Sequence, residues 1–403
     1  MRQPGNASSS SPPAIAGCVD ISAHLGRTLM DADWMRALIV ALYGATLACA
    51  AVGNAAVVRA ILCGPYGRRL RKSARNWFIV ALSSSDLAVA FWSNTLTPVR
   101  VFTRTWPFGL ELCWATTIVQ GMSVSISPLT LMAIAIDRFI LVVLPTRKSI
   151  DVRGATLILL AIWIGSGCVV APSVVHLKLV SLADYNICGH LCWEVWPSER
   201  PRKIYGLCIF LLTYALPNVV VIGCNAAVFS RIGDRVRTSS TTPLTTPRSE
   251  ARLSRLVSPD AAASISRWAD TRQRRRERER RRSNLMLASM TAAFLTATLP
   301  FAAFNLMRDW DLMPAFMEQE SALWGTACHW LAMTSTVWNP LLYAWLNSQL
   351  GRAVLQSLPF SARCLSQASS TEVEFGRFTT LRTRARVIEN AAIEAASRAN
   401  SIK

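Results

Sequence analysis

The sequence predicts an all-α fold: a seven-transmembrane helix bundle with a short cytoplasmic amphipathic helix after the seventh span. Three observations predict it. The 403 residues are 52% hydrophobic and only 17% charged, against roughly 25% charged in a soluble globular chain. The apolar residues gather in seven stretches, 35–63, 76–102, 112–144, 154–178, 204–232, 284–308 and 321–346, each able to supply the ~20 apolar residues of a spanning helix. Basic residues crowd alternate connections: "GRRLRKSAR" after the first span, Arg147, Lys148 and Arg153 after the third, "TRQRRRERERRRS" before the sixth, and Arg352, Arg363, Arg377, Arg382, Arg384 and Arg386 after the seventh. Cytoplasmic loops carry such an excess, so the N-terminus is expected outside, the C-terminus inside and the chain in the plasma membrane. The formal net charge of +19 is then matched by the lipid bilayer's anionic inner leaflet and by acidic cytosolic proteins, and no nucleic-acid partner is called for.

Residues 1–34 are read as an extracellular segment without the pattern of a cleaved leader. "NAS" at Asn6 is a glycosylation sequon on that side. Residues 35–347 form the membrane domain. Its third cytoplasmic loop, 233–283, is dominated by Ser, Thr, Pro and Arg with no apolar period, so it is expected to be largely disordered. Residues 348–403 are the cytoplasmic helix and tail, where Cys364 is a palmitoylation candidate. No internal repeat is found, which weighs against transporters built from related halves. Most of the eleven cysteines lie inside spans, as small apolar filler. Cys113, Cys188 and Cys192 lie at or beyond outer helix ends, where an oxidising compartment permits a bridge from the third span to the loop after the fourth.

Polar residues inside the spans are costly and mark function. Gln120, Ser127 and Arg138 of the third span are seven and eleven residues apart, close to whole helical turns, so they share a face. Thr97 and Asp86 do the same on the second span, Ser335 and Asn339 on the seventh, and Asn305 and Asp309 on the sixth, with His329 ten residues before Asn339. Two levels result. Thr97, Gln120, Asn305, Asp309 and His329 form an upper cluster open to the outside. Asn54, Asp86, Ser127, Ser335 and Asn339 form a lower one whose oxygens suit a small hard cation such as sodium. Any one of these residues alone reads better as a buried polar group met by a neighbouring helix. Agreement across four helices is what favours function.

The ordered set "GN" at 53–54, "SSSDLAVA" at 83–90, "AIDRFILVVLP" at 135–145, Trp163, Pro217, Pro300 and "NPLLY" at 339–343 resembles the rhodopsin-like G-protein-coupled receptors over about 35–357. "RTWPFG", "CWEVWPSERPRKIYG", "LPFAAFNLMRDW" and "HWLAMTSTVWNPLLYAWLN" look like the neuropeptide Y and invertebrate neuropeptide F receptors. The resemblance implies a peptide ligand ending in Arg and an amidated aromatic residue, with Thr97, Gln120, Asn305 and His329 at the amide and Asp309 at the Arg. The alternative for Asp309 is a pair with Arg202 or Lys203. The resemblance also implies a Cys113–Cys192 bridge, leaving Cys188 for Cys18. It implies a switch made of Asp137, Arg138, Phe294, Asn339, Pro340 and Tyr343, with Arg138 leaving Asp137 to meet a heterotrimeric G protein, and arrestin as a further partner. Pro340 matches a hinge whose lost backbone bond is met inside the bundle. Thr298 and Asn225 depart from the family, which usually has Trp and Tyr there. No nucleophile–base pair, metal set or phosphate loop points to an enzyme. The competing readings are a peptide-binding relative without signalling, suggested by Thr298 and Asn225, and a seven-helix transporter or channel with an intramembrane Asp86.

Overall fold

The computed structural model describes residues 18–19, 28–144, 146, 150–241, 259–346 and 348–357. Asn6, Arg147, Lys148 and Cys364 lie outside them. The helices are α1 (Asp33–Leu62), α2 (Ala74–Thr103), α3 (Gly109–Val143) and α4 (Val152–His176). Then come α5 (Glu199–Ile209, a π turn at Phe210–Ala215, and Leu216–Thr241), α6 (Pro259–Asp309), α7 in two pieces (Ser321–Met333 and Ser335–Leu346) and α8 (Ser348–Ser357).

Five stretches are long and apolar enough to cross a bilayer: Asp33–Leu62, Gly109–Val143, Val152–His176, Glu199–Arg231 and Ala288–Asp309. The other two expected spans fall short for physical reasons. α2 buries a polar row, Ser83, Ser85, Asp86, Ser93 and Asn94, which lowers its hydropathy while serving the interior. α7 is interrupted at Thr334, which is not helical. Both still pack as full members, α2 on α1, α3 and α4, and α7 on α1, α2 and α6. The seven-helix bundle stands.

The loop 233–283 is corrected. α5 continues to Thr241 and α6 begins at Pro259, so the described residues of this connection are helical. A missing apolar period argues against a buried face, not against helix. Pro is well placed in a first turn. Ala261–Ala263 and the interleaved Arg and Glu of 275–282 are residue types of high helix propensity.

The all-α reading also omitted a hairpin. β1 (Leu177–Ser181) and β2 (His190–Glu194) are antiparallel, with Leu179 opposite Cys192. The connection uses left-handed backbone at Asn186 (φ 57°) and Gly189 (φ 113°). A Cβ at Gly189 would meet Thr105 at 2.9 Å, so glycine is needed there for space as well as conformation. Cys113 and Cys192 are bridged, as are Cys18 and Cys188. Val19 lies beside Ile187 in a parallel bridge, with its N–H donating to the Asn186 carbonyl at 2.9 Å.

The densest apolar core is at the α8 end. Val57, Ile61, Phe78, Leu82, Ile134, Met290, Phe294 and Tyr343 meet there, and α8 adds Leu350, Ala353 and Val354, the i, i+3, i+4 face of an amphipathic helix. Pro340 lies within α7 and has no N–H for the Thr336 carbonyl four residues back. Asn54 of α1 fills that role: its Nδ2 donates to the Thr336 carbonyl at 2.9 Å and to the Ala50 carbonyl at 3.0 Å. The close approach needs Gly53, where a Cβ would meet Pro340 Cγ at 2.7 Å.

Removing Asn54 should therefore be costly only while Pro340 is present. Asn54→Ala leaves a buried carbonyl unpaired, so the purified protein should lose about 1–3 kcal/mol, read as a fall in its thermal midpoint. Adding Pro340→Ala restores an N–H to the helix and should recover much of the loss. Equal losses in both backgrounds would show that Asn54 acts elsewhere.

Candidate functional site

Three of the lower cluster's residues meet, Asp86, Ser127 and Asn339. Asn339 Nδ2 donates to Asp86 Oδ2 at 2.8 Å, and Ser127 faces the same carboxylate. Asn54, Asp86 and Asn339 are almost fully buried. Ser335 is half-buried and makes no hydrogen bond to Asp86 among the described residues. The buried oxygens Asn54 Oδ1, Ser83 Oγ and Thr130 Oγ1 have no hydrogen-bond partner among the described residues. A carboxylate amid hard oxygen donors fits a small hard cation.

The upper cluster lies toward the hairpin end. His329 of α7 is held from two sides. Its ring stacks on Tyr43 of α1, centroids 5.9 Å apart, and meets Phe301 of α6 edge-on at 5.4 Å. Tyr43 Oη lies 3.1 Å from the Thr326 carbonyl and 2.9 Å from His329 Nδ1. The carbonyl can only accept, so both contacts are satisfied when Tyr43 donates to it and His329 donates from Nδ1. That tautomer leaves His329 Nε2 an acceptor. Gln120 Nε2 donates to Ser93 Oγ at 2.9 Å, and Asn305 Nδ2 to the Phe301 carbonyl at 2.9 Å. One N–H of each amide is engaged; the second N–H of each and both carbonyl oxygens carry no partner among the described residues. Thr97 is half-buried, and its hydroxyl likewise makes no bond. The open valences of the cluster are thus acceptors at His329 Nε2 and the two amide oxygens, beside one amide N–H each on Gln120 and Asn305.

Asp309 is not a free anion. Its Oδ1 lies 3.1 Å from Arg202 Nη1 and 3.8 Å from Arg308, and Arg202 is one of the two partners that the alternative reading of this residue names. Gly206 permits the approach, since a Cβ there would meet Asp309 Oδ2 at 2.7 Å. Lys203 pairs with Asp311 at 2.6 Å; that hydrogen bond holds the Asp311 carboxyl below its ordinary range. Beside α1, Asp31 accepts from the Thr28 backbone N–H, which holds it low as well, helped by Arg104.

At the α8 end the implied Asp137–Arg138 pair is absent among the described residues. Asp137 is faced by Arg75 of α2 and by the Ile150 backbone N–H, because adjacent helical residues point about 100° apart. Arg138 Nε is buried without a hydrogen-bond partner among the described residues. Phe294 and Tyr343 are packed in the core. Of the two departures, Asn225 Nδ2 donates to Thr291 Oγ1 at 3.2 Å, joining α5 to α6, while Thr298 turns its hydroxyl back to the Phe294 carbonyl at 2.7 Å.

Sequence reasoning missed Tyr43 and Ser93 as parts of this site. Tyr43 carried a signal, since a buried tyrosine hydroxyl requires a partner. Ser93 carried none beyond being polar.

The description "7 transmembrane receptor (rhodopsin family)" matches residues 53–343. The chain is 28% identical over 372 residues to the Neuropeptide F receptor of Drosophila melanogaster, covering 89% of this chain and 68% of that protein. It is 29% identical over 300 residues to Neuropeptide receptor npr-1 of Caenorhabditis elegans, covering 71% and 65%. With the RYamide receptor of Drosophila melanogaster it shares 26% over 346 residues, covering 82% and 65%. The chain spans about two thirds of the length of these relatives.

The His329 tautomer can be tested without a ligand. Tyr43→Phe strands the Nδ1 donor, and the purified protein should lose about 1–3 kcal/mol in thermal unfolding. In a His329→Phe background the same change should cost much less, because the pair is then already gone. Additive losses would show that the two rings do not share a hydrogen bond.

Proposed function

The chain belongs to the rhodopsin family of seven-transmembrane receptors, and we propose that it is a plasma-membrane receptor for a C-terminally amidated neuropeptide ending in Arg and an aromatic residue. The observation that carries this reading is the set of open acceptors at His329 Nε2, Gln120 and Asn305, beside one open amide N–H on each of the last two. A primary carboxamide brings two N–H donors to the acceptors, and an amide N–H or Thr97 can donate to its carbonyl. A terminal carboxylate brings only acceptors and leaves the open acceptors unmet. The names of the relatives point the same way.

The hairpin end is outside: both disulfides are there, in keeping with an oxidising compartment. The α8 end, with Arg138 and the basic stretch of α6, faces the cytosol. Peptide and G protein favour the same bundle, so each strengthens the other's binding. Arrestin would meet the same end. Asp86, Ser127, Ser335 and Asn339 are the proposed sodium ligands; the ion would supply a positive charge beside Asp86. Glycosylation at Asn6 and palmitoylation at Cys364 complete the proposal.

The ligand's Arg must compete with Arg202 for Asp309. Asp309→Ala should weaken an Arg-Phe-amide peptide by about ten- to a hundred-and-fifty-fold, and Arg202→Gln should strengthen it. A peptide with that Arg neutralised should respond to neither. Binding curves on expressing cells decide this; if both peptides respond equally, Asp309 has only its structural partner.

The Asn225–Thr291 bond gives the non-signalling reading a physical basis, since it ties α5 to α6. Asn225→Tyr should raise maximal calcium or cyclic AMP responses and leave peptide affinity within about threefold, roughly 0.6 kcal/mol. A change in affinity alone would assign Asn225 to the binding site.

A further inference from the structure

The outer hairpin has an edge that the chain covers only in part. β1 and β2 pair with Leu177 opposite Glu194 and Leu179 opposite Cys192. In such a ladder alternate residues turn both backbone groups to the partner strand, and the residues between them turn both away. The bonds around the strands fix which is which. Gly189 and Val195 face the β1 side: Leu182 N–H donates to the Gly189 carbonyl at 3.1 Å, and Val195 N–H to the His176 carbonyl at 2.7 Å. Asn186, Cys188 and His190 face the other way. The Asn186 carbonyl accepts from Val19 at 2.9 Å, Cys188 N–H donates to the Val19 carbonyl at 3.0 Å, and the His190 carbonyl accepts from Trp106 at 2.7 Å. By the same alternation Cys192 and Glu194 also face away from β1. Their N–H and carbonyl groups have no partner among the described residues, and both residues are half-buried. A row that begins by pairing with the chain's own Val19 thus ends in two open rungs.

We propose that these open rungs take an extended stretch of the peptide, which adds to β2 as a further strand. The inference rests on the amidated-peptide reading and adds a backbone site to its side-chain site. Exposed strand edges pair readily with extended chain, and main-chain bonds of this kind are a general mode of peptide recognition. The hairpin already uses that mode at its other end, where Val19 is the added residue. The open rungs are continuous with the cluster below them. Cys192 is bridged to Cys113 at the outer end of α3, and Gln120 is seven residues further along α3, about 10 Å deeper. An extended peptide advances about 3.3 Å per residue, so a chain whose amide lies at Gln120 is level with Cys192 about three residues earlier. The rungs are also held in place. The Glu194 carboxylate accepts from Trp196 Nε1 at 2.8 Å and from the Ser173 hydroxyl, so its side chain is occupied while its backbone is not.

The test is a backbone scan. Short peptides ending in Arg-Phe-amide each carry one N-methyl group on a backbone nitrogen, moved residue by residue along the chain. They are bound to the full chain on cells, with surface amounts measured independently. Two positions, two residues apart, should lose about tenfold or more. The residue between them should stay within about threefold, because its N–H points away from β2. On the receptor, proline removes an N–H and is tolerated on an open edge. Glu194→Pro should bind the unmethylated peptide about three- to tenfold more weakly than Glu194→Ala, the control for the lost carboxylate. If Glu194→Pro fails to reach the surface, the methyl scan on the unaltered chain decides alone. Losses without alternation, or losses that recur every three or four residues as in a helix, overturn the added strand. So does a Glu194→Pro that matches Glu194→Ala. If the scan is flat and Glu194→Pro lowers the thermal midpoint of the peptide-free protein below that of Glu194→Ala, the chain itself covers the edge and the inference is wrong. If no amidated peptide binds, the functional reading fails and this inference with it; if peptides bind without alternation, this inference fails alone.

Discussion

One side-chain amide replaces a backbone hydrogen that proline lacks, and the bundle is organised around that replacement. Inside a bilayer no water can meet an orphaned carbonyl, so the Thr336 oxygen must find a donor in the protein. Asn54 supplies it. To do so α1 must lie against α7 closely enough that only glycine fits at position 53. The preceding residue, Asn339, is then turned to the Asp86 carboxylate of α2. Three helices are fixed by two amide groups, and α8 packs beneath them on the same core. The interior at this end is settled by its own residues. At the hairpin end, polar valences are left open.

That contrast gives the site its chemical character. His329, Gln120 and Asn305 each use a donor on the protein and keep an acceptor in reserve. With one amide N–H also open on Gln120 and on Asn305, a group that both donates and accepts is what such a surface lacks. The charges above it are mostly neutralised in pairs, so recognition there is an exchange of partners, with a ligand cation competing against Arg202. The cost of binding is lower for an exchange than for desolvating a free carboxylate, and selectivity rises because only a well-placed guanidinium improves on the existing pair.

Much of this was legible in the sequence, and what was not has a common cause. The seven stretches, both polar levels and the α8 face follow from spacing on single helices, which is a local property. Partners across helices are not local. That Tyr43 orients His329, or that Arg75 and not Arg138 faces Asp137, depends on the rotation and register of one helix against another. Nothing in the spacing of either helix fixes that. The break at Thr334 was hidden for a related reason, since Asn339-Pro340 is the stronger local signal for a break, yet the helix continues through it because α1 repairs the damage. The connection between α5 and α6 misled in the opposite direction: its composition excludes a core, and helix does not require one.

The bridge between Cys18 and Cys188 has a topological result. With the chain itself it closes residues 18–188 into a covalent ring that holds α1 to α4 and encloses the Cys113 anchor of the hairpin. α5, α6 and α7 hang from that ring as an open tail. A cut in any one connection between α1 and α4 leaves the pieces linked, whereas a cut between α5 and α6 leaves α6 to α8 held by packing alone. Covalent closure is thus confined to the half that carries Gln120 and Asp86. The helices that bear Thr291, Asp309 and His329 keep their freedom to shift against it, so the polar cluster straddles a seam between a cyclised body and a tethered one.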